Sequence, residues 1–240
     1  MDRPKGAESA VTAVLTSLLS SVSDHHLHGL ATGFESAGTE VAAVTGPWDE
    51  RMRAFQDGRV LAGWLCGLLH VELQNQGGWP YRAVAAQPST RPDTLGLPVY
   101  YGDIVVARQS RRLGFADLEG ATFAYNEESS LSGFRMMTDH LRAIGSDLSF
   151  FGGATKSGSH LASLELVANG SADCAVIDST LIDDRVEGTD AIRVVTSLGP
   201  YPAPPLVTLP EDEDHVRSIA ITAGWVGVAD DAYDDLRSPR

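Results

Sequence analysis

The chain has 240 residues, 43% hydrophobic and 21% charged, a balance that supports one large or two small globular units. Its 18 basic and 32 acidic side chains give a formal net charge of −14. That acidity excludes nucleic acid and anionic membrane surfaces as partners, since both require lysine and arginine against phosphate. It still admits a small anion, because helix N-termini can hold one inside an acidic protein.

Ala7 to Val22 carries Val11, Val14, Leu15, Leu18 and Leu19 at helical spacing and is expected to be a helix. Asp24-His25-His26-Leu27-His28-Gly29 reads as a solvated, His-rich turn; His26 and His28 would share a side on a strand, but nothing in the spacing forces a metal site. Val41 to Val44 is expected as a strand, Asp49 to Asp57 as a short helix, Val60 to Leu69 as a buried strand with a turn, and Ala83 to Ala86 as another strand. Pro98 to Ala107 is the clearest strand of the chain, and Thr122 to Tyr125 is a further one. The helices that follow are expected from Phe134 to Ile144 and from Leu161 to Ala168, the latter closed by Asn169-Gly170. Asp173 to Ile177 reads as a strand, Thr180 to Val186 as helix and Ile192 to Val195 as strand. Pro200 to Pro205 should break regular structure, and Ser218 to Val226 and Ala229 to Leu236 should be two terminal helices. Strands alternating with helices predict an α/β fold with mostly parallel sheets.

Cys66 and Cys174 sit in apolar stretches and read as buried free thiols; no zinc pattern accompanies them, and no metal or cofactor is expected. No run of about 18 apolar residues exists to span a membrane. Met1 to Val22 lacks the clean apolar core of a secretory signal, so the expected location is cytoplasmic, or periplasmic or extracellular if a leader has been removed.

Two loops carry chemistry. Ser129-Ser130-Leu131-Ser132-Gly133 lies between a strand and a helix, where hydroxyls and free backbone N–H groups converge and the helix dipole favours negative charge. A serine N-cap alone would need only one of these hydroxyls. Ser157-Gly158-Ser159-His160 repeats the arrangement one helix later, with an imidazole that can donate to an oxyanion. Both loops follow strands, the position at which open α/β sheets bind ligands. Asp178, at a strand end, either meets a ligand amine or hydroxyl or caps the next helix. Tyr100 offers an OH on an apolar wall, although its spacing equally fits a core aromatic. A Ser132, His160 and Asp178 triad is conceivable, but no Gly-x-Ser-x-Gly elbow accompanies it, and no catalytic residue is assigned.

Gly63-Trp-Leu-Cys-Gly67, Pro98 to Val106, Asp117-Leu-Glu-Gly120, the serine loop ending at Phe134, Ser157 to His160, Asn169 to Asp173 and Ala175 to Asp178 occur in one order. Through them, residues 60 to 208 resemble the phosphonate/phosphite-binding branch of the type-2 periplasmic binding proteins, especially its short leaderless relatives. The resemblance implies two Rossmann-like lobes around a hinge cleft: residues 1–103 with 193–240, and residues 104–192. It implies that Ser129, Ser130, Leu131, Ser132 and His160 hold an oxyanion, with Tyr100 and Asp178 near the ligand's other end. Where the family carries Thr, this chain has Leu131, which removes one hydroxyl donor. The expected function is binding of a phosphonate, phosphite, phosphate or similar oxyanion, with an ABC-transporter permease or another protein as partner. The alternatives are a cytoplasmic small-molecule enzyme on the same fold and a ligand-sensing subunit.

Overall fold

The computed structural model describes residues 13–19, 24–185 and 187–237. Two sheets divide the chain. The first is built by β1 (Ala13–Ser17), β2 (Val41–Val44), β3 (Val60–Trp64) and β4 (Arg82–Ala86), then by β10 (Pro205–Thr208) and β11 (Val226–Gly227) after the chain returns. Its order is β11-β4-β10-β3-β1-β2. The second holds β5 (Val99–Ala107), β6 (Thr122–Tyr125), β7 (Gly153–Lys156), β8 (Cys174–Asp178) and β9 (Ile192–Pro202), in the order β7-β6-β8-β5-β9. The chain crosses between them through residues 87–98 and again through Ala203-Pro204. The lobe boundaries expected at 103 and 193 fall inside β5 and β9.

The α/β class is as expected, but the sheets are mixed rather than mostly parallel. β1, β2 and β3 run parallel, as do β6, β7 and β8, whereas β10, β11, β5 and β9 pair antiparallel. β5 and β10, by which the chain enters each sheet after a crossing, run against its parallel set, so β9 and β4 pair antiparallel with them; β11 is added antiparallel to β4.

Seven helices cover these sheets among the described residues: α1 (Asp24–Ser36), α2 (Trp48–Gln56), α3 (Gly67–Gln76), α4 (Met136–Ala143), α5 (His160–Ala168), α6 (Ser179–Asp183) and α7 (Glu213–Thr222). A π-helical turn, Leu131–Arg135, leads into α4.

Several expectations are corrected. Ala13–Ser17 is a strand, not part of a helix. It is flanked by β2 and β3, and Val14 to Leu18 are all buried, Thr16 and Ser17 included; burial on both faces removes the alternation that marks a strand, and Val14, Leu15 and Leu18 fall at helical spacing. The part of that expectation at residues 7–12 and 20–22 lies outside the described residues. The His-rich segment opens α1 instead of forming a turn; His28 is exposed, and the side chains of His25 and His26 lie outside the described residues. Gly67–Gln76 is helical where a turn was expected. Pro200 and Pro202 remain within β9, because β9 is an edge strand and an edge tolerates a missing N–H. Of the two terminal helices, the first is α7, ending before β11, and the second is a 3₁₀ segment, Asp230–Arg237.

That last segment is fastened to α3 and β4 through one carboxylate. Trp79 donates to His70 Nδ1 (3.2 Å), so His70 Nε2 donates to Asp230 (2.9 Å). Gln74 (2.9 Å) and the Ala83 N–H (2.8 Å) also donate to Asp230. Burial opposes the ionised form, but these hydrogen bonds outweigh it and hold the Asp230 carboxyl at about 2. A depressed carboxyl pKa stabilises the fold above the ordinary carboxylate range, and the stabilisation is lost as pH falls towards 2. With about a third of the side chain exposed, screening reduces the effect. We expect Asp230→Asn to lose about 1–2 kcal/mol at pH 7 in urea unfolding, with the gap from the parent chain narrowing between pH 4 and pH 2.

Candidate functional site

The parallel sets β1–β3 and β6–β8 both direct their C-terminal ends into one cleft of about 670 Å³ between the sheets. Leu18 and Leu19 follow β1, Trp48 follows β2, and Trp64 and Cys66 close β3. From the second sheet, Asn126 to Ser132 follow β6, His160 follows β7 and Asp178 ends β8. Ligand sites in open α/β sheets form at such strand ends.

The serine loop is held by its own hydrogen bonds. Ser130 caps the turn into α4, its Oγ accepting from the Gly133 N–H (3.1 Å) and from Asn126 Nδ2 (3.0 Å). With both acceptor positions used, the Ser130 hydroxyl proton is left to donate. Ser132 Oγ lies 3.1 Å from His160 Nε2, and both residues are buried at the cleft wall. Ser159 caps α5 by accepting from Ala162 N–H, which places His160 as the first residue of that helix. Burial lowers the His160 pKa to about 4, against the pull of the Val176 carbonyl, so the imidazole is neutral at physiological pH.

Tyr100 is only 2% exposed, yet it lines the cleft. Burial, then the Cys66 thiol and the Asp178 carboxylate, push its phenol well above the ordinary range, against a hydrogen bond with Ser132, so it remains a protonated donor. Asp178 caps α6, accepting from the Thr180 N–H (3.0 Å) and Oγ1 (2.8 Å). Burial raises its pKa to about 6; Thr180 opposes this, and Asp103 and Asp183 add to it.

Six of the seven expected residues therefore line one cleft: Tyr100, Ser129, Ser130, Ser132, His160 and Asp178. Leu131 does not. Its side chain is buried in the core with Leu68 and Tyr201. The triad is not assembled either: no carboxylate is hydrogen-bonded to His160 among the described residues, and Asp178 is engaged by Thr180.

Sequence reasoning missed Asn126, Cys66 and the tryptophans Trp48, Trp64 and Trp225, all in the cleft wall. Asn126, Trp48 and Cys66 each stand within a few residues of a strand's C-terminal end, and that position was the available signal. The Cys66 thiol lies at the seam between the halves. Burial raises its pKa, while N–H groups of Leu69 on one side and Leu131 on the other lower it, and Asp178 raises it slightly.

A family of ABC-transporter phosphonate periplasmic substrate-binding proteins matches residues 30–222, more than half of the chain. This chain belongs to that family. Members are binding components, and the comparisons give no support to an enzyme on the same fold. No curated protein matches. Among solved structures, a binding-protein component of an ABC phosphonate transporter from Pseudomonas aeruginosa is similar at 16% identity, over 94% of this chain and 84% of that one, with a TM-score of 0.69. PhnD1 from Prochlorococcus marinus, solved with methylphosphonate, is similar at 14% identity over 94% and 95% of the two chains, with a TM-score of 0.73. The periplasmic aliphatic sulphonate-binding protein SsuA from Escherichia coli is similar at 16% identity over 95% and 79%, with a TM-score of 0.59. At these identities the structures establish the type-2 periplasmic-binding-protein fold. No helix among the described residues is long and apolar enough to cross a membrane.

Two predictions follow from the geometry. A Cβ on Gly133 would stand 1.8 Å from Asn126 Oδ1. Gly133→Ala should therefore cost about 1–3 kcal/mol by overpacking, and adding Asn126→Ala should recover part of the loss, read as Tm. For Asp178, a raised carboxyl pKa means that stability falls as pH rises through about 6. Asp178→Asn keeps a capping oxygen and removes that loss, so its Tm should match the parent at pH 4 and exceed it at pH 8.

Proposed function

We propose that this chain binds a small oxyanion in the cleft between its sheets and holds it unaltered for an ABC-transporter permease on the periplasmic side of a membrane. The observation that carries the reading is the pairing of the Ser129–Ser132 loop with His160 at the strand ends of the second sheet. In this reading Ser129, Ser130, Ser132 and His160 donate to the anionic head. Tyr100 donates and Asp178 accepts at the other end of the ligand. The two lobes hinge at residues 87–98 and 203–204, where the chain crosses between sheets, and close on the ligand.

No lysine or arginine lines the cleft among the described residues, whereas Glu127, Asp178, Asp183 and Asp184 do. A dianion would meet repulsion without a compensating cation. The site therefore favours a monoanion, or a ligand whose own amine or hydroxyl faces Asp178. Phosphonates, phosphite, singly protonated phosphate and sulphonates are the candidates, and the relatives solved with methylphosphonate or named for aliphatic sulphonates support that range.

Calorimetric titration with phosphate, phosphite, methylphosphonate, 2-aminoethylphosphonate and ethanesulphonate tests the proposal. At least one should bind with one-to-one stoichiometry and be recovered unchanged. Ser130→Ala and His160→Ala should each weaken it about tenfold or more, about 1.4 kcal/mol. If none binds, or a chain carrying both Ser130→Ala and His160→Ala binds as the parent does, the assignment is wrong.

A further inference from the structure

The two walls of the cleft differ in chemistry. Every carboxylate of the lining comes from the second-sheet side, as do the serine loop and His160. The first-sheet side carries no charged residue among those described, and its apolar surface is made by Leu18, Leu19, Trp48, Trp64, Leu69 and Trp225. This surface is built in advance. Trp64 donates from Nε1 to the Pro204 carbonyl (2.9 Å), and its ring meets Trp225 edge-on at 5.2 Å, which fixes the two buried indoles against each other. Trp48 differs: it is the first residue of α2 and leaves 48% of its surface in solvent.

A large aromatic half in water in the lining of a cleft that also holds ordered apolar side chains is surface that an apolar ligand group would cover. The cleft volume, about 670 Å³, agrees. It lies well inside the range of about 300–1,000 Å³ typical of pockets for organic ligands, and an oxyanion at the serine loop fills a small part of it.

We infer that the first-sheet wall is a second subsite, formed by Trp48 with Leu18 and Leu19, that selects an organic oxyanion carrying a flat apolar group. The inference rests on the oxyanion reading above: the head group sits at Ser130, Ser132 and His160, and the carbon part lies across the tryptophan wall. Covering an indole face with an aryl ring contributes both area and ring–ring attraction, sufficient for about a tenfold gain in affinity or more.

Methylphosphonate and phenylphosphonate share a head group and differ only in the carbon part. Both are titrated into the parent chain, Trp48→Ala, Trp48→Phe and Ser130→Ala, with each variant's Tm measured to confirm folding. We expect phenylphosphonate to bind the parent at least about tenfold tighter. Trp48→Ala should bring the ratio of the two Kd values to within about twofold, and Trp48→Phe should keep most of it. Ser130→Ala should weaken both ligands by a similar factor and preserve the ratio. Equal binding by the parent, exclusion of phenylphosphonate, or a ratio that survives Trp48→Ala would overturn the subsite while leaving the oxyanion assignment standing. Binding of neither ligand by the parent would overturn the subsite, and the oxyanion assignment would then stand or fall on the five-ligand titration above.

Discussion

An oxyanion in this cleft has to be held without a lysine or arginine in the wall around it. The chain as a whole carries a formal charge of −14, so its long-range field opposes the approach of any anion. What remains is short-range: hydroxyl protons, an imidazole, a phenol and backbone N–H groups at helix starts. Such donors act within hydrogen-bond distance and are sensitive to geometry. They discriminate by shape and protonation state more than by charge. The cost is a slower encounter, which salt eases by screening the repulsion.

Fixing neutral donors requires a rigid backbone beneath them. Asn126 fills the space where a side chain on residue 133 would stand, and its amide holds Ser130 in place. Under the loop, Gly102 pairs with Asp178; a Cβ on Gly102 would meet Met136 Sδ and Val176 Cγ1 at 2.8 Å, so β5 can approach the start of α4 only without a side chain at that position. The crossings between the sheets are tied as well. Trp64 and Tyr233 donate to the Pro204 and Ala203 carbonyls of one crossing. On the other, Arg91 pairs with buried Asp103 and with Asp183, a residue of the cleft wall, and lies over the Tyr101 ring.

The site and four of the five strands of the second sheet were legible in the sequence, β7 being the exception; in the first sheet β2, β3 and β4 were legible and β1, β10 and β11 were not. Val99–Ala107 and Cys174–Asp178 are apolar, β-branched runs bounded by turn residues, and their strand character is unambiguous. The serine and histidine loops announce themselves because hydroxyls and glycines cluster where a strand gives way to a helix. Ala13–Ser17 was hidden because a doubly buried strand has no alternation, and a short apolar run can match two periodicities. The tryptophan wall was hidden for another reason: Trp48, Trp64 and Trp225 are far apart in sequence and meet only through the order β11-β4-β10-β3-β1-β2. Leu131 shows the limit of carrying a motif across by position, since a residue between two site serines has its side chain in the core.

The Ser132–His160 contact illustrates how environment, not residue type, decides between catalysis and binding. A serine nucleophile needs an imidazole basic enough to take its proton and a third group to orient that imidazole. His160 is buried, burial lowers its pKa to about 4, and no carboxylate is bonded to its ring among the described residues. A base this weak faces a steep uphill transfer from a hydroxyl, because each unit of pKa mismatch costs about 1.4 kcal/mol. The same burial makes His160 a good ligand group. A neutral ring can donate a hydrogen bond without adding a charge whose hydration must be removed, and its protonation does not change across physiological pH. The burial that weakens the ring as a base is also what leaves it a neutral donor, the role the proposed oxyanion site gives it.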